Sequence, residues 1–160
     1  MIENSFSAVE VLEMAKNIEK RGYDFYTKQV EKTNDKDLKK LFLKLAEDEN
    51  DHYKRFDEFL DEVKSETRSE SKYVYDLEVS AYLKAIVEFE IFSEEETIAV
   101  KNTEEALRIA VSAEKDSIMF YEGLLKYNQG ESADFIEELI AEERQHFLDL
   151  VQYRKKRKNK

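Results

Sequence analysis

Two short phrases of this chain repeat each other at matching places, and they repeat in residues poorly suited to a hydrophobic core. Glu49-Asn50-Asp51-His52 and Glu143-Arg144-Gln145-His146 are both Glu-x-x-His, and they contain both histidines of the chain. Each follows a lone Glu set in a similar phrase, Glu19-Lys20-Arg21-Gly22-Tyr23-Asp24-Phe25-Tyr26 in the first half and Glu114-Lys115-Asp116-Ser117-Ile118-Met119-Phe120-Tyr121 in the second. From lone Glu to motif Glu is 30 residues in the first half (Glu19 to Glu49) and 29 in the second (Glu114 to Glu143). Two antiparallel helical hairpins would bring both sets to one level. That is the arrangement of a two-metal site inside a four-helix bundle, with one Glu from each of two helices and Glu-x-x-His from each of the other two.

The rest of the composition agrees with helices. Three Gly and no Pro occur in 160 residues, so the usual breakers are scarce, and an all-α protein is expected. The length suits a single domain over residues 1–160, with a basic C-terminal tail from about residue 154. Without Cys there is neither a disulfide nor a thiolate metal site. No apolar run approaches the roughly 20 residues of a membrane span, and no signal peptide is visible, so the expected location is cytoplasmic with no membrane association. A formal charge of -11 argues against general nucleic-acid binding. The exception is the cluster Arg154, Lys155, Lys156, Arg157, Lys158 and Lys160. It reads either as a helix end whose cations complement the dipole or as a contact for phosphate or an acidic partner.

Along the chain, Ser7 with Glu10 forms a capping box and Phe6 with Val11 a staple, predicting a first helix from there to about Lys32. Thr33-Asn34-Asp35 is a turn that caps a second helix. That helix carries Leu38, Leu45, His52 and Phe59 on one heptad row, and Phe42, Glu49, Phe56 and Val63 on another. The polar stretch Ser65 to Ser71 ends it, and a shorter crossover helix is expected from about Leu77 to Phe92. A third long helix starts near Thr103, with Gly130 marking its end. From Ser132 a fourth places Ile136, Glu143 and Leu150 on one row, and Leu139, His146 and Tyr153 on the other. The halves match in helical phase as well as in spacing.

Residues three apart share a helical face, so each Glu-x-x-His can offer an oxygen and an imidazole nitrogen to one space. The other members of these rows are mainly apolar, which points the four carboxylates of Glu19, Glu49, Glu114 and Glu143 into the bundle. Uncompensated, they would cost several kcal/mol each, a sum comparable to the stability of a whole domain. No Lys or Arg shares the rows, whereas two divalent cations would balance four carboxylates and take the histidines as further ligands. A single Glu-x-x-His on a Glu-rich helix is commonly surface decoration. Coincidence would have to produce it twice, in equivalent halves, each after a matching lone Glu.

From about Ala8 to Tyr153 the chain resembles the rubrerythrin branch of the ferritin-like superfamily. The residues that carry the likeness are Ile18-Glu19 to Phe25-Tyr26, Leu45 to His52, Glu114 to Phe120-Tyr121 and Ala141 to His146. The resemblance implies a ferritin-like four-helix bundle of two antiparallel hairpins joined by a long crossover. It further implies that Glu49 and Glu143 bridge two irons, while Glu19, Glu114, His52 and His146 are terminal ligands. Tyr26 and Tyr121, each seven residues after a lone Glu, read either as hydrogen-bond partners of opposing carboxylates or as aromatic core with polar tips. Gly22 leaves room beside the metals for a small substrate, or for close helix packing.

Two departures from the family stand out. Rubrerythrins usually append a rubredoxin-like domain with four cysteines; here an electron donor would have to be a separate protein. Many also carry a second Glu one turn after the lone Glu of the third helix, where this chain has Ser117. Carboxylate and imidazole ligands suit Fe, Mn or Zn, with a pair of irons expected from the redox chemistry of the family. The expected function is a non-haem di-iron oxidoreductase reducing hydrogen peroxide or dioxygen, with a homodimer as one allowed assembly. The alternatives are a ferroxidase or iron-handling protein, and a non-enzymatic helical adaptor.

Overall fold

The computed structural model describes residues 8–66, 81, 83–86, 91–126, 128 and 130–160. Four long helices dominate: α1 (Ala8–Lys32), α2 (Lys36–Glu66), then, after the short α3 (Glu94–Ile98), α4 (Thr103–Leu125) and α5 (Glu131–Lys158). Among the described residues there is no strand, and no helix is long and apolar enough to cross a membrane.

The breaks between helices have local causes. Asp35 ends the first turn by accepting from the N–H groups of Asp37 at 2.9 Å and Leu38 at 3.1 Å, and so starts α2. Asn102 does the same for α4, accepting from the Glu105 N–H at 2.9 Å. The capping box at Ser7 and the staple at Phe6 lie outside the described residues. So does most of the crossover helix expected from Leu77, including Tyr82 and Val87; residue 81 and residues 83–86 are helical.

Two boundaries differ from expectation. The crossover helix does not reach Phe92, which adopts φ 46°, a left-handed conformation that stops a right-handed helix. Ser93 then caps the unforeseen α3, whose first turn is Glu94, Glu95 and Glu96, acids placed where the helix dipole favours them. Gly130 does not end the third helix, which closes at Leu125. Instead Gly130, at φ 66°, is the residue from which α5 starts. Its composition marked a boundary correctly, but the left-handed backbone serves the entry to the next helix.

The apolar rows assemble as hairpins. α1 runs antiparallel to α2, with Lys16 paired to Asp57 and Glu13 to Lys64. α4 runs antiparallel to α5, with Glu104 paired to Arg154 and Glu122 to Arg144. Between the hairpins, α2 and α5 are joined by Lys44 to Asp149 at 2.9 Å and Arg55 to Glu138 at 3.0 Å. The core is continuous through Val11, Ile18, Phe42, Phe56, Leu107 and Ile136, all below 2 % exposed. Phe59, Val63 and Tyr153, at the far ends of their heptad rows, are only partly buried. A straight α-helix drifts about 20° per heptad from a 3.5-residue repeat, so the row leaves the core as it lengthens.

Candidate metal centre

All six acidic and imidazole side chains singled out by the repeat are buried, at 0–3 % exposure. They come from the four long helices: Glu19 from α1, Glu49 and His52 from α2, Glu114 from α4, Glu143 and His146 from α5. The structure brings them into two overlapping sets, Glu19, Glu49, His52 and Glu143 in one, Glu49, Glu114, Glu143 and His146 in the other. In each set one donor atom per residue lies within 4.8 Å of the rest. Glu49 and Glu143 belong to both.

The imidazoles turn the same nitrogen inward. His52 Nδ1 lies 3.2 Å from Glu19 Oε2 and 2.9 Å from Glu143 Oε1. His146 Nδ1 lies 3.5 Å from Glu49 Oε1 and 3.7 Å from Glu114 Oε2. The outer nitrogens meet two carboxylates that the sequence reading passed over. His52 Nε2 is 2.5 Å from Glu142 Oε2, and His146 Nε2 is 3.0 Å from Asp48 Oδ2. Each of these acids immediately precedes the motif Glu of the opposite hairpin. An acid at that place in both copies was the available signal. A carboxylate behind a ligating imidazole fixes its tautomer and ring orientation, so these two residues aim Nδ1 at the centre.

The tyrosines are equally reciprocal. Tyr26 of α1 donates its hydroxyl to Glu114 Oε1 of α4, and Tyr121 of α4 donates to Glu19 Oε1 of α1. Both rings are fully buried, Tyr26 stacked on Phe42 and Tyr121 on Phe56. Each therefore packs as core and holds a carboxylate at once. Gly22 is explained by Glu49: a Cβ there would stand 3.0 Å from both Cδ and Oε2 of that side chain. Ser117, which corresponds to Gly22 in the repeat, is buried on α4 one turn from Glu114.

Burial and mutual repulsion shape the titration of the cluster. Glu49 is held well above the usual carboxylate range by burial and then by Glu19 and Glu143. Glu114 is pushed up to about 8 by burial and by Glu143. For Glu143 burial acts upward, but the adjoining imidazoles of His146 and His52 outweigh it and hold the carboxyl low. For the imidazoles burial acts downward and is outweighed. Glu19, Glu142 and Glu143 raise His52; Asp48, Glu114 and Glu143 raise His146. Burial and the adjoining carboxylates keep both tyrosines neutral far into the alkaline range.

Protons alone leave the cluster incompletely satisfied. Glu114 Oε2 and His146 Nδ1 are buried without a hydrogen-bond partner, and both belong to the sets that converge. Two orphaned ligand atoms in a nest of carboxylate oxygens and imidazole nitrogens fit divalent cations of the Fe, Mn or Zn kind.

A profile of the rubrerythrin family matches residues 10–153. The chain belongs to the rubrerythrin family. A crystal structure from Thermotoga maritima, described as a ferritin-like diiron-carboxylate protein, superimposes with a TM-score of 0.74 at 26% identity, covering 94% of this chain and 95% of that one. No curated protein matches. This rubrerythrin-family chain is thus a ferritin-like four-helix bundle of the di-iron carboxylate type, with a buried Glu/His cluster suited to metal. It contains no cysteine, so these 160 residues carry no rubredoxin-type iron site.

Proposed function

We propose that the chain is a non-haem di-iron oxidoreductase that reduces hydrogen peroxide or dioxygen with electrons from a separate donor protein. The observation that carries this reading is the pair of converging ligand sets sharing Glu49 and Glu143, with unpartnered atoms aimed between them. Glu19 and His52 would hold one ion, Glu114 and His146 the other, and Glu49 and Glu143 would bridge them. When bound, a pair of redox-active irons supplies two electrons to an oxygen-containing substrate.

The protein's own residues do the rest. Asp48 and Glu142 hold the imidazoles with Nδ1 inward, and Tyr26 and Tyr121 hold the terminal carboxylates by their Oε1 atoms. Phe42 and Phe56 pack over those tyrosines and keep water from the carboxylates behind them.

The test uses untagged protein loaded with ferrous iron, with peroxide-driven oxidation followed optically. His52→Leu combined with His146→Leu removes a nitrogen ligand from each ion while leaving an apolar side chain in the same rows. The bundle is expected to persist, by circular dichroism, while peroxide oxidation is lost; unchanged turnover in a helical variant would sink the assignment. Ferrous oxidation followed by hand-over or storage is the second reading, and Ser117 in place of a further carboxylate favours it. Storage requires a many-subunit shell, which a sizing column separates from a monomer or dimer. An adaptor without enzymatic function predicts no stoichiometric transition metal in protein purified from cells.

A further inference from the structure

At the end of the bundle near the α1–α2 turn lies a separate, partly open cavity of about 330 Å³. Leu38, Phe42 and Ala106, all buried, supply its apolar lining; Lys32, Lys101 and Arg157 are exposed at its margin. No Asp or Glu lines it, although the chain has 37 acids against 26 bases. Of the neighbouring acids, Glu104 is engaged by Arg154 at 2.8 Å and by Arg157 at 3.5 Å, and Glu105 accepts from the Lys101 N–H at 2.9 Å.

Several of the groups that line this space are polar. Asn102 and Thr103, at the start of the 23-residue α4, line it. Of the first-turn N–H groups, that of Glu105 goes to the Asn102 side chain and that of Ala106 to the Asn102 carbonyl. Those of Thr103 and Glu104 have no helical acceptor. Independently, Gln29 lines the same cavity at 4 % exposure, and its Nε2 has no hydrogen-bond partner. A buried amide donor without an acceptor has lost its water without replacement, a loss that an anion's oxygen would recover.

We propose that this cavity binds a small organic anion, its carboxylate or phosphate held by the α4 N-terminus, Gln29 and the lysines, and its short apolar body against Leu38 and Phe42. The site is separate from the metal centre. Gln29 lies ten residues beyond Glu19 on α1, about 15 Å along the axis, and the stacked Tyr26 and Phe42 rings stand between. An anion at a helix N-terminus with flanking cations gains from both dipole and charge.

Equilibrium dialysis of the full chain against labelled hexanoate and against labelled inorganic phosphate, in low-chloride buffer, tests this. Hexanoate is expected to bind one per chain and more tightly than phosphate. Lys32→Glu with Lys101→Glu, both exposed, should weaken it about tenfold or more, and Gln29→Leu should weaken it as well. Lys156→Glu with Lys160→Glu, on the neighbouring C-terminal surface, should leave it within about twofold. Phosphate binding as tightly as hexanoate would overturn the apolar half of the proposal. Retention of binding in the Lys32/Lys101 variant, its loss in the Lys156/Lys160 variant instead, or no binding of either probe at about 10 mM would overturn the site itself.

Discussion

His52 and His146 show how much of a metal site is made by residues that never touch metal. Each ring is clamped from behind by a carboxylate of the opposite hairpin, Glu142 or Asp48. Asp48→Asn with Glu142→Gln should keep the helices intact yet lower metal affinity by about 10–100-fold, measured by competition with a chromogenic chelator. Unchanged affinity would mean that ring packing alone sets the imidazoles. The same neighbourhood fixes a proton count. Without metal the carboxylates outweigh burial and hold the protons of both imidazoles to higher pH than an ordinary histidine, and Glu114 is pushed up to about 8. Metal must displace these protons, so affinity should rise with pH through the neutral range and fall as pH drops. Loading in weakly buffered solution at about pH 7 should release roughly two or more protons per chain; no acidification would contradict the titration order.

At the scale of elements, Gly22 separates the needs of helix and site. Ala is the better helix former by about 1 kcal/mol, so Gly22→Ala should leave the metal-free bundle as stable or more so. Its new Cβ, however, would press on the Glu49 carboxylate at 3.0 Å and displace the group that both ligand sets share. Thermal melts with and without metal should move in opposite directions relative to the parent; parallel shifts would show that Glu49 has room to spare. Asp35 gives a second test. Its carboxyl sits below the ordinary range through hydrogen bonds from the Leu38 N–H and from Tyr153, so its contribution is present above about pH 4 and is lost as pH falls through its lowered value. Asp35→Ala should cost about 1 kcal/mol at neutral pH, and in urea melts the gap from the parent should narrow near pH 3. A constant gap across that interval would assign the effect to the backbone rather than to the charge.

For the whole molecule, the sequence disclosed what periodicity and duplication encode. Rows of Leu, Phe and Ile seven apart, interrupted twice by Glu and His, revealed the four long helices and the six side chains that meet between them. Hidden were features set by tertiary geometry. Phe92 turns left-handed where no Gly announces it, and Gly130 serves the opposite end of its turn from the one its composition implied. Asp48 and Glu142 were marked only by an acid at the same place in both copies, and an acid on a Glu-rich helix reads as surface until the packing shows which ring it meets. The carboxylate cluster also burdens the metal-free fold. Glu49→Leu with Glu143→Leu should raise the melting temperature of metal-free protein while abolishing metal binding, since buried like charges are exchanged for apolar volume. A lower melting temperature would show that the attraction of the imidazoles for Glu143 outweighs the repulsion.

The seam between α2 and α5 has a consequence for ancestry and assembly. In the repeat that equates Glu49 with Glu143, Lys44 corresponds to Glu138 and Arg55 to Asp149. The ligands of the two halves match, but the Lys and Arg ion pairs across the seam place their cations on α2 and their anions on α5. Were the first hairpin to pair with another copy of itself, Lys44 would face Arg55; in a pair of second hairpins, Glu138 would face Asp149. Each half thus disfavours its own twin and accepts the other, so the charges along the seam favour the mixed pairing of hairpins over two identical ones.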